Sequence, residues 1–251
     1  MDTSTIVVSA LIAVAATGTG ALVLHWMSAR ARAEYDMPDE DKVVWRTAAS
    51  LADVAALTAR WLTGELRGQP GYCGPVDVDE EDAPGMTDVL ISCNRAGFLT
   101  ASSQAGYDGA GYDGAHWRQF AAVDGLISDA DLPLLHAALA GTGMVVDASG
   151  DGQAVTFRQG HAYTWFGRRR KRTDLADDWT GYGICSPAAV AELLRACPVV
   201  VYDPEPGRDD RLWPALADFA EQLQRRGGTA GVLEAPVQAA PPQGRRGTLS
   251  S

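Results

Sequence analysis

The longest stretch without a charged side chain lies near the start of the chain, over residues 3–29. An α-helix rises about 1.5 Å per residue, so this apolar segment is long enough to cross a hydrocarbon core about 30 Å thick. Asp2 precedes it, whereas Arg30 and Arg32 follow it. Because basic residues favour the cytoplasmic side of a membrane, this distribution predicts a single-pass anchor with the rest of the chain in the cytoplasm.

The chain divides by composition into four parts. We predict a transmembrane anchor over residues 1–29, which crosses the membrane between residues 4 and 26. An acidic linker, a globular domain and a disordered tail rich in Gly, Pro, Ala and Gln are predicted over residues 30–41, 42–226 and 227–251. Met27 offers an alternative start, from which the protein would be cytoplasmic and without an anchor.

The net charge of −11 and the isoelectric point near 4.7 exclude broad, non-specific binding to nucleic acid. One basic run, residues 168–172, stands against this acidic background. Anionic lipid, a phosphate group or an acidic protein are ligands for such a run, and a solvated hairpin edge is the alternative without a ligand.

The reactive residue types do not form a familiar catalytic or metal-binding pattern. The four cysteines show no C-x-x-C spacing and no nearby histidine, which indicates buried free thiols instead of a zinc site. We predict no catalytic residue and no metal ligand, and an enzyme is the least favoured class.

Helical and strand patterns are mixed along residues 42–226. Apolar residues at intervals of three and four predict a helix over residues 42–66, and the glycine-rich residues 106–114 are typical of a flexible loop. Short apolar strands alternate with helices further on. The pattern predicts a single α/β or α+β domain with a mixed sheet and flanking helices.

The stretch from residue 94 to 104, Asn-Arg-Ala-Gly-Phe-Leu-Thr-Ala-Ser-Ser-Gln, is central to the functional prediction. Residues 98–100 are predicted as a strand, and residues 101–104 as a loop of hydroxyl and amide groups at its end. Ligands tend to bind beside such strand ends in open α/β sheets. No acid, base or metal ligand is nearby in sequence, so the stretch indicates binding and not catalysis.

Together with Trp61-Leu62-x-Gly64 and Pro70-Gly71-Tyr72, this stretch resembles an uncharacterised domain family of actinobacteria. The chain is also distantly similar to the C-terminal regulatory domain of methylenetetrahydrofolate reductase. That similarity covers a strand that runs into a Ser-Gln turn, a glycine-rich loop, a leucine-rich helix, Thr164-Trp165 and a final Leu212-Trp213 helix, in the same order.

The reductase resemblance implies a domain that binds S-adenosylmethionine without catalysing a reaction. Carried over by position, the implied ligand contacts are Thr100, Ser103, Thr164 and Thr173. Asp82 stands where the family has Glu, and it is a candidate anchor for a ligand amine. We therefore expect a membrane-anchored, non-catalytic domain that binds a small metabolite, with a protein–protein interaction module as the alternative.

Overall fold

A computed structural model describes residues 37–70, 84–111, 113–169 and 185–233, with side chains described up to residue 227. The predicted anchor, Asp82, Thr173 and the basic residues 170–172 lie outside the described residues, as does the predicted tail beyond residue 233. In the part of the chain that the structure describes, no helix combines the length and the apolar character of a membrane span.

Six helices and eight strands make up the described residues. The helices are α1 (Asp39–Trp45), α2 (Leu51–Leu62), α3 (Met86–Arg95), α4 (Leu132–Leu139), α5 (Pro187–Arg195) and α6 (Leu212–Leu233). The strands are β1 (Leu99–Gln104), β2 (Tyr107–Ala110), β3 (His116–Gln119), β4 (Ala122–Ile127), β5 (Val145–Asp147), β6 (Asp151–Arg158), β7 (His161–Arg168) and β8 (Cys197–Tyr202).

The strands form two four-stranded sheets, and every pairing in them is antiparallel. Sheet A has the order β1-β4-β8-β5, and sheet B has the order β2-β3-β6-β7. The prediction of a mixed sheet is therefore wrong, although the mixed α/β class is confirmed. The short links between β2 and β3 and between β6 and β7 permit only antiparallel neighbours. Strand β2 lies inside the predicted glycine-rich loop.

Sheet A lies between a helical layer and sheet B. On one face, Val123 and Val199 join the main core with α2, α3, α4, α5 and α6. On the other face, Ala122 and Val200 pack against Val155 and Phe166 of sheet B. Neighbouring residues of a strand point to opposite faces, so β4 and β8 contribute to both cores. Only residues 120–121 separate β3 in sheet B from β4 in sheet A.

The N-terminal helices differ from the predicted single helix over residues 42–66. Helix α1 begins inside the predicted linker, and the carboxylate of Asp41 accepts hydrogen bonds from the backbone N–H groups of Arg67 and Gly68 at 2.7 and 3.0 Å. The break before α2 is fixed by a capping box, in which Ser50 and Asp53 each accept a hydrogen bond from the other's backbone N–H.

The central stretch, residues 94–104, contains the end of α3 and all of β1. Strand β1 continues through Gln104, so the predicted hydroxyl loop over residues 101–104 is part of sheet A. The pairing with β4 shifts register between Thr100 and Ser102, which marks Ala101 as a bulge residue. A Cβ atom at Gly125 would lie 2.1 Å from the carbonyl oxygen of Leu99, so only glycine allows this close approach.

Candidate functional site

A cleft lies where the end of β7 crosses sheet A beside α5. The cleft is small, because the space that the centre of a water molecule can reach in it is about 40 Å³. Most of its walls are apolar, and three charged side chains line it. The lining residues are Leu99, Ala101, Asp124, Gly125, Leu126, Gly167, Arg168, Arg169, Leu193, Leu194, Ala196 and Pro198. A concave, mostly apolar site with a few polar groups is the usual form of a small-molecule site.

Asp124 supplies the acidic group of the cleft. It lies opposite Val200 in the β4–β8 pairing, and Val200 belongs to the core between the two sheets. Opposite residues of an antiparallel pair share a face, so the Asp124 side chain lies on the sheet B side. Its Oδ2 atom accepts a hydrogen bond from the backbone N–H of Gly167 at 3.0 Å. The half-buried carboxylate therefore joins β4 to the end of β7.

Arg168 and Arg169 supply the basic groups. The backbone N–H of Arg169 donates to the carbonyl of Gly150 at 2.8 Å, which fixes the chain beyond β7 to the turn before β6. Gly150 and Gly152 make room for the two side chains, because a Cβ at either position would crowd atoms of Arg169 or Arg168. The Arg168 guanidinium lies 5.0 Å from the ring centre of Trp165, within cation–π range.

Thr100, the first of the predicted contacts, is a structural residue of the helical side of sheet A. Its hydroxyl accepts a hydrogen bond of 2.6 Å from the side-chain amide of Asn94, and its backbone N–H donates to the Asn94 amide oxygen at 3.2 Å. Asn94 also donates to the carbonyl of Leu90. Both side chains are buried, so this cluster connects α3 to β1 and does not line the cleft.

Of the predicted ligand contacts, the structure describes Thr100, Ser103 and Thr164, and these three do not lie together. Ser103 lies opposite Val123, which points into the helical core, and so it shares that face with Thr100. Thr164 lies in β7 of sheet B, opposite Thr156. Sheet A therefore separates Thr100 and Ser103 from Thr164. Asp82 and Thr173 lie outside the described residues.

The model of a domain of unknown function, DUF6919, matches residues 40–223. The chain belongs to the DUF6919 family. All lining residues of the cleft lie within the matched range, so the site is part of the DUF6919 domain. No curated protein matches the chain.

Sequence patterns did not predict that Asp124, Arg168 and Arg169 line one cleft of the DUF6919 domain. Asp124 is a single carboxylate inside the otherwise apolar strand Ala122–Ile127. Acidic residues are rarely placed in such strands, so this position was the one sign in the sequence that Asp124 has a specific role. Arg168 and Arg169 were noticed only as part of a basic run. Their relation to Asp124 depends on the pairing of strands from the two sheets, which sequence patterns did not reveal.

Gln104 of the DUF6919 domain joins the sheets instead of binding a ligand. Its side-chain amide donates to the carbonyls of Phe120 and Val155 at 2.9 and 3.2 Å. Its amide oxygen accepts from the hydroxyl of Thr156 at 3.1 Å. The Ser-Gln end of the central stretch therefore connects β1 with sheet B.

The thiols described in the DUF6919 domain are not poised for nucleophilic chemistry. Burial raises the pKa of Cys93 to about 12 and that of Cys185 to about 11, so both stay protonated near neutral pH. Across the described ranges, no three His, Cys, Asp or Glu side chains lie close enough together to hold a metal ion. The cleft itself offers recognition by charge and apolar contact.

Proposed function

We propose that the DUF6919 domain is a non-catalytic module that binds a small amphipathic metabolite in the cleft between β4, the end of β7 and α5. One observation carries the proposal: Asp124, Arg168 and Arg169 meet at a single concave surface whose other walls are mostly apolar. Charged groups fix the orientation of a ligand, and apolar walls bind its body.

S-adenosylmethionine is the compound that the reductase resemblance suggests. It carries both positive and negative groups, which match the signs of the charged residues that line the cleft. Among the described residues, Thr100 and Ser103 lie on the other side of sheet A from Thr164, so we propose that an adenosyl compound would contact Asp124 and the two arginines in place of Thr100 and Ser103.

A ligand screen with a cleft-filling variant tests this function. The full chain is screened by thermal shift against S-adenosylmethionine, other nucleosides and amino acids. Ala101 is exposed and lines the cleft, so Ala101→Trp should abolish the stabilisation that a bound ligand gives. Ala188 is exposed on α5 outside the cleft lining, and Ala188→Trp is the matched control. Ligand binding that survives Ala101→Trp unchanged would exclude this cleft.

We also propose that residues 4–26 anchor the domain to the membrane, with the DUF6919 domain on the cytoplasmic side. The uncharged, apolar sequence before Arg30 and Arg32 supports this placement. Fractionation of cells that express either the full chain or a chain beginning at Met27 tests it. The full chain should sediment with membranes and resist extraction at high salt, and the shorter chain should not.

A protein–protein interaction module is the second candidate function. Exposed aromatic residues on sheet B favour it, since Tyr163 is 63% and Trp165 is 45% exposed. Aromatic residues and arginine are enriched at protein interfaces. Crosslinking in cells would identify a protein partner. If Trp165→Ser abolishes that crosslink and leaves ligand binding normal, the result favours a protein–protein interaction module over a metabolite-binding module.

A further inference from the structure

The hairpin of β6 and β7 carries positive charge in a protein that is acidic as a whole. Residues 151–169 contain one carboxylate, Asp151, and three arginines, whereas the whole chain has a net charge of −11. The arginines are Arg158, Arg168 and Arg169, and all three are exposed. The hairpin is therefore a local region that attracts acidic groups.

Aromatic rings lie beside these arginines. The ring centres of Trp117 in β3 and Tyr163 in β7 are 4.8 Å apart, and the rings meet edge to face. Strand β6 lies between β3 and β7, so both side chains lean over β6 on the same face of sheet B. Trp165 points away from sheet A, because its neighbour Phe166 packs into the core between the sheets. Trp, Tyr and Arg are the residue types that dominate the energetics of protein interfaces.

We infer that the β6–β7 hairpin binds a short acidic segment of a partner protein. The carboxylates of the segment pair with Arg168, and its apolar side chains pack on Tyr163 and Trp165. The inference rests on the second candidate function, the protein–protein interaction module, and it specifies the chemistry of the partner.

Arg168 is held in a position that suits a carboxylate. Its guanidinium lies 5.0 Å from the ring centre of Trp165. Stacking on a ring leaves the N–H groups at the edge of a guanidinium available, and their geometry matches both oxygens of a carboxylate. Among the residues that the structure describes, no carboxylate forms an ion pair with Arg168. An acidic group of a partner can therefore use these donors.

Asp113 fixes the second pair of ring and arginine. Its carboxylate accepts hydrogen bonds from the indole N–H of Trp117 at 3.1 Å and from Arg158 at 2.7 Å. Hydrogen bonds from Trp117, Ala115 and Arg158, in that order of effect, lower the pKa of Asp113 to about 2. A Cβ at Gly111 would lie 2.5 Å from atoms of the Trp117 ring, so this glycine lets the ring lie against the backbone. A surface that is ordered before binding loses less entropy when a partner binds.

The charge of the whole chain favours a short acidic segment over a long polyanion. Exposed charges are screened beyond about 8 Å at physiological ionic strength, so a short segment senses mainly the hairpin. Nucleic acid or an anionic membrane also meets the acidic remainder of the chain, which repels it. The rings add apolar contact, so the segment should combine Asp or Glu with aromatic or aliphatic residues.

A peptide selection on the full chain tests the inference. Short random peptides are selected for binding to the detergent-solubilised protein, and the affinity of the enriched peptides is measured by fluorescence anisotropy. We expect acidic peptides with interspersed apolar residues, whose affinity falls as the salt concentration rises. Arg168→Gln and Trp165→Ser should each weaken their binding about tenfold or more.

Arg118→Gln is the matched control. Arg118 is exposed in the same sheet, but its side chain points to the opposite face from that of its neighbour Trp117. Its replacement should leave the affinity for the peptides within about twofold of the wild type. An equal loss in Arg118→Gln and Arg168→Gln would show that overall charge is recognised and would overturn the assigned surface.

Three other outcomes also overturn the inference. Neutral or basic peptides that Trp165→Ser weakens and Arg168→Gln does not would overturn the acidic chemistry, while the interaction function stands. Oligothymidylate or inorganic phosphate that displaces the peptides as well as an unlabelled peptide would show that any anion suffices. If no peptide binds, the inference fails, and the interaction function fails with it only if crosslinking in cells also finds no partner.

Discussion

The backbone N–H of Gly167 donates a hydrogen bond to the side-chain carboxylate of Asp124 across 3.0 Å. This bond joins the end of β7 in sheet B to β4 in the middle of sheet A. Gly167 has a φ of +74°, and a Cβ there would lie 2.9 Å from Cγ1 of Val200, so the backbone approaches sheet A closely. The bond fixes the end of β7, where Arg168 is the last strand residue and Arg169 follows it.

Replacement of Asp124 should therefore weaken the contact between the sheets. Asp124→Ala removes a hydrogen bond to a charged group, and we expect the free energy of unfolding to fall by about 1.5–3 kcal/mol. Asp124→Asn should cost less, because its amide oxygen can still accept from Gly167. Chemical denaturation of the full chain measures both. Asp218→Ala, an exposed change on α6, should stay within about 0.5 kcal/mol of the wild type.

The Asn94–Thr100 cluster is predicted to stabilise the fold without contributing to ligand binding. Asn94→Ala leaves the buried backbone N–H of Thr100 without its acceptor, which should cost about 1–3 kcal/mol. Thr100→Val should cost about 1 kcal/mol by the same reasoning, with ligand affinity unchanged. Ser92→Ala, at a half-buried position of α3 whose hydroxyl bonds only within the helix among the contacts described, to the carbonyl of Asp88, is the control. A Thr100→Val protein with normal stability and lost ligand binding would contradict this assignment.

The fully buried carboxylate of Asp203 depends on Arg211, which donates to both of its oxygens. Arg211→Met would leave a buried charge without its cationic partner, and we expect a loss of about 3 kcal/mol in unfolding free energy. Arg208 pairs with Glu205 and Asp210 at the surface, so Arg208→Met should cost about 1 kcal/mol or less. If Arg211→Met and Arg208→Met lower the free energy of unfolding by the same amount, the special role of the buried pair is contradicted.

The capping box of α2 should make stability depend on pH. Hydrogen bonds from the Ala49 N–H and then from Ser50 hold the pKa of Asp53 below its usual range. This contribution is fully present above the unfolded-state pKa, about 3.9, and is lost as the pH falls through the lower folded-state pKa. Asp53→Ala should cost about 1 kcal/mol at pH 7. That difference in unfolding free energy should shrink as the pH falls through the folded-state pKa, whereas a difference that stays constant with pH would contradict the role of the carboxylate.

The sequence predicted those elements whose signals are local. Ser186 and Pro187 mark the start of α5, and the apolar run that ends at Tyr202 forms β8, as the sequence indicates. The break between α1 and α2 was not predicted, because the helical spacing of apolar residues continues across it. The capping box of Ser50 and Asp53 starts a separate helix at this point.

The candidate site was less predictable because it depends on contacts between distant residues. Asp124 and Gly167 are 43 residues apart and lie in different sheets. Nothing near Asp124 in the sequence reveals which strand end will cross it. Thr100 was predicted in a strand and Ser103 in the loop after it, but both lie in β1, and strand alternation with the bulge at Ala101 decides the face on which their hydroxyl groups lie.

The close contact between Gly125 and Leu99 provides a criterion for new members of the family. Any larger residue at this position would force β1 away from β4, and β1 carries one wall of the cleft. An aligned sequence without glycine here would therefore have to displace its first strand, and its pocket should differ in shape. A glycine at position 125 therefore predicts that a relative has the same cleft, whereas another residue there predicts only the same fold.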